Sequence, residues 1–157
     1  MSARLHKDAG FTLIEILSVL VIIGLMSSVV VLAIPTPKSA LETQAPKLAK
    51  QLNALAQEGI ISGQVTAAGF SGEGYTLYGY EREEWIVLHE QDWDEPYRLT
   101  LKRNDTQLAV PEELVPLITF SPNGLSTIFE LSLSDGERGF TLEDSGNGRV
   151  LIVKDAL

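Results

Sequence analysis

Gly10-Phe11-Thr12-Leu13-Ile14-Glu15, with the apolar run at residues 16–34 behind it, is the stretch on which the reading of this chain turns. The run contains no charge and only Ser18, Gly24, Ser27 and Ser28 as small interruptions. At 1.5 Å per residue it makes a helix of roughly 28 Å, about the thickness of a bilayer's hydrocarbon core. Glu15 is the anomaly. On insertion scales a carboxylate in such a segment costs on the order of 2.5–3.5 kcal/mol at the bilayer centre and less near the end, so it requires a partner.

Residues 1–10 ahead of the run carry Arg4 and Lys7. Positive charge before a membrane helix keeps that end in the cytoplasm and sends the C-terminal part across the membrane. A secretory signal peptide opens the same way, but its apolar core is about 7–15 residues long and ends at a small-x-small cleavage site. Here the run is longer, starts with a glutamate, and is followed by Lys38 before the small residues Ser39 and Ala40. An uncleaved membrane anchor is a further reading. Neither gives Glu15 a partner. If the chain is cut between Gly10 and Phe11, the new α-amine lies four residues before Glu15, about one helical turn, and can meet that carboxylate or a neighbour's copy of it. In a filament of like helices this pairing neutralises the charge and fixes the axial register, as a polar core residue does in other helical assemblies.

The chain has 157 residues, a net charge of −9 and no cysteine. About 120 residues remain after Lys38, enough for one small domain with a real core. No disulfide framework, thiolate zinc site or thiol nucleophile is available. The acids crowd together: Glu81, Glu83, Glu84, Glu90, Asp92, Asp94 and Glu95 stand against Arg82 alone. This argues against nucleic acid, whose phosphates require a basic footprint.

Past the apolar run, Pro35-Thr36-Pro37 interrupts or kinks the helix, and an amphipathic stem follows, so that residues 35–63 form a second segment. Ser39-Ala40-Leu41-Glu42 has the form of a capping box, and Leu41, Ala45, Leu48, Leu52, Leu55 and Gly59 recur at three- and four-residue spacing. Pro46 leaves open whether it bends a helix that starts near Ser39 or marks a later start. Lys38, Lys47 and Lys50 read as a solvated face. From Gln64 the period changes to two, and residues 64–157 form a β domain. Strands are predicted at 74–80, 84–89, 97–102, 107–110, 117–120, 127–133, 139–143 and 149–153. Between them lie the charged turn Glu81-Arg82-Glu83 and the turn signals Asn104-Asp105, Pro122-Asn123-Gly124, Asp135-Gly136 and Gly146-Asn147-Gly148. Short strands so spaced imply antiparallel sheets, one of them covered by the leucine face of the stem; the fold class is α+β.

Candidate chemistry is sparse. His6 would leave with the leader, so His89 is the only histidine of a mature chain, read here as a strand-end residue, and no Ser-His-Asp or Cys-His arrangement is signalled. Glu90-Gln91-Asp92-Trp93-Asp94-Glu95 has acidic spacing but lacks the glycine and distal glutamate of a calcium loop, so a solvated loop is the stronger reading. Asp144-Ser145-Gly146-Asn147-Gly148 has oxygen ligands to offer but reads as a hairpin turn. Asn104-Asp105-Thr106 matches a glycosylation sequon through its turn composition alone. No metal or cofactor and no enzyme activity are predicted. Trp85 and Trp93 are candidate interface anchors, with core packing the stronger reading for Trp85.

Two sets of residues carry a family resemblance. Gly10-Phe11-Thr12-Leu13-Ile14-Glu15 and the apolar run closely resemble the leader of type IV pilins and type II secretion pseudopilins. The resemblance implies cleavage after Gly10 by a membrane prepilin peptidase, N-methylation of Phe11 and a role in assembly for Glu15. Residues 118–126 (ITFSPNGLS), the alternating strand after them and Gly148-Arg149-Val150 look like the closing β region of H-type minor pseudopilins and of related minor type IV pilins. Glu58-Gly59-Ile60-Ile61-Ser62-Gly63-Gln64, Tyr75 and Trp85 fit the same group. This implies a type IV pilin-like fold and a single-pass inner-membrane protein whose C-terminal domain is periplasmic. The implied partners are the major pseudopilin and the other minor pseudopilins of a tip complex. The absence of a C-terminal cysteine pair and of a basic patch fits the pseudopilin side. A minor type IV pilin and a membrane-tethered periplasmic binding module stand as alternatives.

Overall fold

The computed structural model describes residues 12–32 and 39–155, with side chains described for 12–25 and 39–153. The chain divides into two units, Met1–Pro37 and Lys38–Leu157. The first contributes helix α1, Leu13–Leu32. It is apolar on every side, without the one-sided stripe that a helix packed on a globular core carries.

The second unit begins with helix α2, Ala40–Ser62. Its start is the capping box foreseen in the sequence: the Ser39 hydroxyl accepts from the Glu42 N–H at 3.2 Å, and the Glu42 carboxylate accepts from the Ser39 N–H at 3.4 Å. Gly63 closes it in the left-handed conformation at φ 71°, which a side chain would resist. Pro46 lies inside the helix, which begins at Ala40 and continues through it. The lost backbone bond is tolerated because the face on either side is anchored: Leu41, Ala45, Leu48, Leu52 and Leu55 are buried, each such leucine contributing about 1.5–3 kcal/mol.

Nine strands follow among the described residues: β1 Thr66–Phe70, β2 Gly74–Glu81, β3 Glu84–Asp92, β4 Arg98–Arg103, β5 Thr106–Leu108, β6 Ile118–Phe120, β7 Phe129–Ser134, β8 Gly139–Asp144 and β9 Leu151–Asp155. They form two antiparallel sheets, ordered β3-β2-β1-β6 and β5-β4-β7-β8-β9. One continuous core joins the leucine face of α2 to the inner faces of both. In the second sheet Leu101, Leu131 and Leu142 stand in register across three strands, as do Leu99, Leu133 and Phe140. The opposite face is polar, with a Lys102–Glu130 ion pair at 2.8 Å and a Ser132–Thr141 hydroxyl pair at 2.9 Å, and along β7 alternation by two matches in-and-out burial.

The first sheet departs from that rule. Strand β1 was not foreseen, because every residue of Thr66–Phe70 is buried and no alternation shows. On one side Thr66 donates its hydroxyl to the Leu55 carbonyl of α2 at 3.1 Å. On the other the segment ahead of β6 crosses so closely that a Cβ on Gly69 would stand 2.2 Å from the Val115 carbonyl oxygen. Tyr78 ties down the same segment by donating to the Leu114 carbonyl at 2.7 Å. A strand sandwiched this way reads in sequence as a short run of small residues.

Other differences have local causes. The last strand begins at Leu151 rather than 149, because the backbone of Val150 is taken by α2: its N–H donates to Asn53 Oδ1 and its carbonyl accepts from Asn53 Nδ2, both at 2.9 Å. Strand β3 runs on to Asp92, so His89 lies within the strand rather than at its end. The tryptophans exchange the expected places. Trp93 is 9 % exposed, donates its indole N–H to the Ser71 carbonyl at 2.9 Å and meets the rings of Tyr75, tilted at 5.0 Å, and Tyr97, edge-on at 5.7 Å; Trp85 is 38 % exposed on β3. Burial follows the indole's hydrogen-bond opportunity here, and Trp85 sits on the outermost strand of its sheet.

Candidate assembly site

Gly10 and Phe11, the residues of the expected cleavage and methylation, lie outside the described residues. Glu15 is described, and it sits exposed in the first turn of α1. Thr12 caps that turn: its carbonyl accepts from the Glu15 N–H at 3.0 Å and from the Ile16 N–H at 3.3 Å, and its hydroxyl accepts from the Glu15 N–H at 3.3 Å. Besides its place in the cleavage motif, Thr12 opens Thr12-Leu13-Ile14-Glu15, which has the same spacing as the box that opens α2. Glu15 therefore occupies the third helical position, where the helix dipole favours a carboxylate. Among the described residues no cation lies within ion-pair distance of it.

Around Glu15 the surface is hydrocarbon. Leu13, Ile14, Ile16, Leu17, Val19 and Leu20 are all exposed, and the one hydroxyl among them turns inward, Ser18 donating to the Ile14 carbonyl at 2.8 Å. Among the residues with described side chains, which in this helix end at Leu25, no helix is long and apolar enough to cross a membrane. Chemically, the start of α1 is a carboxylate on an apolar rod, with no cation beside it among the described residues: it attracts a cation and either hydrocarbon or other apolar helices.

The candidates on the second unit resolve into structure. His89 is exposed, its ring 6.5 Å from that of Tyr75. Among the described residues no three His, Cys, Asp or Glu side chains are grouped to hold a metal ion. Asp144 is buried and spends both oxygens locally. Oδ1 accepts from the Gly146 and Asn147 N–H groups at 2.8 and 3.0 Å, and Oδ2 accepts from the Ser126 hydroxyl at 2.8 Å. Ser126 in turn accepts from the Gly148 N–H at 2.8 Å, so ITFSPNGLS and the Gly146-Asn147-Gly148 turn are one hydrogen-bonded corner. Beside it a cleft of about 210 Å³ is lined by Lys102, Asp105, Ile128, Glu130 and Asp144. Lys102 and Glu130 are paired there: the hydrogen bond and charge of Glu130 hold the Lys102 ammonium above its ordinary range.

Comparison with known proteins addresses both units. Residues 5–34 match the family model described as the prokaryotic N-terminal methylation motif. No curated protein sequence matches significantly. Among solved structures, the chain is similar to the minor pseudopilin EpsH of the Vibrio cholerae type II secretion system, at a TM-score of 0.62 and 17% identity over 75% of this chain and 96% of that one. It is also similar to GspH of E. coli, at a TM-score of 0.54 and 20% identity over 71% and 89% of the two chains. The type IV minor pilin FimU of Pseudomonas aeruginosa aligns at a TM-score of 0.47 and 19% identity over 71% and 89%, too loosely to carry an argument. The chain thus joins a prokaryotic N-terminal methylation motif to the fold of the minor pseudopilins EpsH and GspH.

Proposed function

We propose that the protein is a minor pseudopilin, a structural and non-enzymatic subunit of a type II secretion pseudopilus that helps move folded proteins across the outer membrane. The observation that carries the reading is the coincidence of two independent features on one chain, the methylation motif at residues 5–34 and the pseudopilin fold. In this reading a prepilin peptidase removes residues 1–10, Phe11 becomes the methylated N-terminus, and the apolar helix anchors the protein in the inner membrane with its C-terminal domain in the periplasm. The helix then moves from lipid into a bundle with the major pseudopilin and the other minor pseudopilins. Glu15 supports that step: a carboxylate on an apolar rod gains most from meeting an α-amine when both are withdrawn from water.

N-terminal analysis of the protein purified from its membrane tests the reading. The expected result is N-methyl-Phe11, with Gly10 replaced by a bulky residue leaving the leader attached; an unprocessed Met1 in the unaltered protein would overturn it. Glu15→Leu should insert normally but lose incorporation into the pseudopilus, and unchanged incorporation would remove the assembly role. Loss of secretion rather than of pili on deletion separates this reading from a minor pilin.

A further inference from the structure

We infer that β3 is an open sheet edge that accepts an extended, basic segment of a partner protein as an additional strand. It is the outermost strand of the first sheet and nine residues long, whereas the edges β5 and β6 have three residues each and β9 five. Its backbone direction follows from its neighbour. Tyr80 donates its N–H to the Val65 carbonyl, away from β3, at 2.9 Å. The Tyr80–Trp85 pair therefore exchanges no backbone hydrogen bonds, and the N–H and carbonyl of Trp85, and of Val87 two residues on, point out of the sheet. A bulge at Leu88 ends this regular stretch, leaving about one short strand's worth of free backbone.

The side chains beside that backbone suit a ligand rather than open water. Trp85 and Val87 share a face with Tyr80, 38 %, 58 % and 38 % exposed, and the Trp85 and Tyr80 rings meet edge-on at 4.9 Å. Neither Lys nor Pro, the usual guards of an open edge, occurs between Glu84 and Asp92. Exposed carboxylates stand along β3 and the turn before it at Glu81, Glu83, Glu84, Glu90 and Asp92, against Arg82 in the turn and Lys47 of α2, whose Nζ donates to Gln91 Oε1 at 3.2 Å. A second copy of this chain would set carboxylates against carboxylates. A segment alternating Lys or Arg with β-branched residues would instead pair main chain to main chain, place cations near Glu84 and Glu90 and over the Trp85 ring, and cover Val87.

The inference does not depend on the pseudopilus reading. It is tested with the full chain in lipid nanodiscs holding one copy each and a fluorescein-labelled peptide alternating lysine with valine and threonine. Binding by fluorescence anisotropy is expected. It should weaken about tenfold when alternate peptide nitrogens are methylated, or when Val87→Lys alters the exposed edge, and vanish when glutamate replaces lysine. The near-ultraviolet signal of buried Trp93 checks that Val87→Lys keeps the fold, and the methylated peptide tests the edge without any substitution. Equal binding of the methylated peptide would show charge adsorption alone and overturn the proposal, as would no binding. Self-association of the detergent-solubilised chain that the lysine peptide cannot displace would assign the edge to a second copy and equally overturn it.

Discussion

The two helices are close in length, 20 residues in α1 and 23 in α2, and are stabilised in opposite ways. Helix α2 has one apolar face, fixed caps at both ends and hydrogen bonds to Thr66 of β1 and to Val150 just ahead of β9, and its stability is inseparable from the domain core. Helix α1 has no polar face to turn outward, and its apolar side chains from Leu13 to Leu25 are exposed all round. A helix in the first situation is specified by its own chain, whereas one in the second is specified by the medium or by the neighbours that cover it.

The sharpest way to break that contrast is a matched pair of truncations. Leu52→Ala, at a position with no exposure, should lower the urea-unfolding stability of the domain by about 2–5 kcal/mol; Ile22→Ala on α1 should leave that transition unmoved. If both shift it equally, the helices do not differ in the way described. Next comes the link between α2 and the chain's end. Asn53→Ala removes both hydrogen bonds to Val150 and should cost about 1–3 kcal/mol, with faster amide exchange at Val150 as its local signature.

A pH experiment separates the helices by whether their stability is tied to the domain core, where Tyr75 and Tyr97 lie. Burial pushes the phenols of Tyr75, Tyr78 and Tyr97 above the ordinary range, with nearby carboxylates adding to the effect. A raised folded-state value means that the neutral phenol is the one the fold favours. The associated stability is present below about pH 10 and is lost as pH rises through the folded-state values. Phenolate absorbance should therefore rise together with loss of the domain's structure, while the signal of α1, which contains no tyrosine, persists. The smallest effect concerns the turn before β3, where Arg82 and Glu83 take left-handed backbone at φ 51° and 68°. Glu83→Gly relieves about 1–2 kcal/mol of that cost and adds about 0.5–1 kcal/mol of chain entropy in the unfolded state, so melting should show a gain of about 0.5 kcal/mol.

The candidate site was legible where its chemistry is local. A carboxylate in an apolar run is visible without any fold, and so was Glu15; the capping role of Thr12 carried the same spacing signal as Ser39 and was overlooked beside the stronger hydrophobic one. The open edge at Trp85 was not legible. In sequence an aromatic in a strand reads as core, and only strand order determines whether a strand is central or outermost.

By itself, then, the sequence determined the features that depend on neighbouring residues: the all-round apolar α1 with its glutamate, the capping box and leucine face of α2, the hairpin turns and the alternation of the second sheet. These follow from periodicity, capping and backbone sterics, which act over a few residues. Tertiary structure decided the rest. It buried β1 on both faces, carried the helix through Pro46, gave the backbone of Val150 to Asn53, and put Trp93 inside and Trp85 at the edge, because each depends on which distant segment arrives to share its surface and hydrogen bonds.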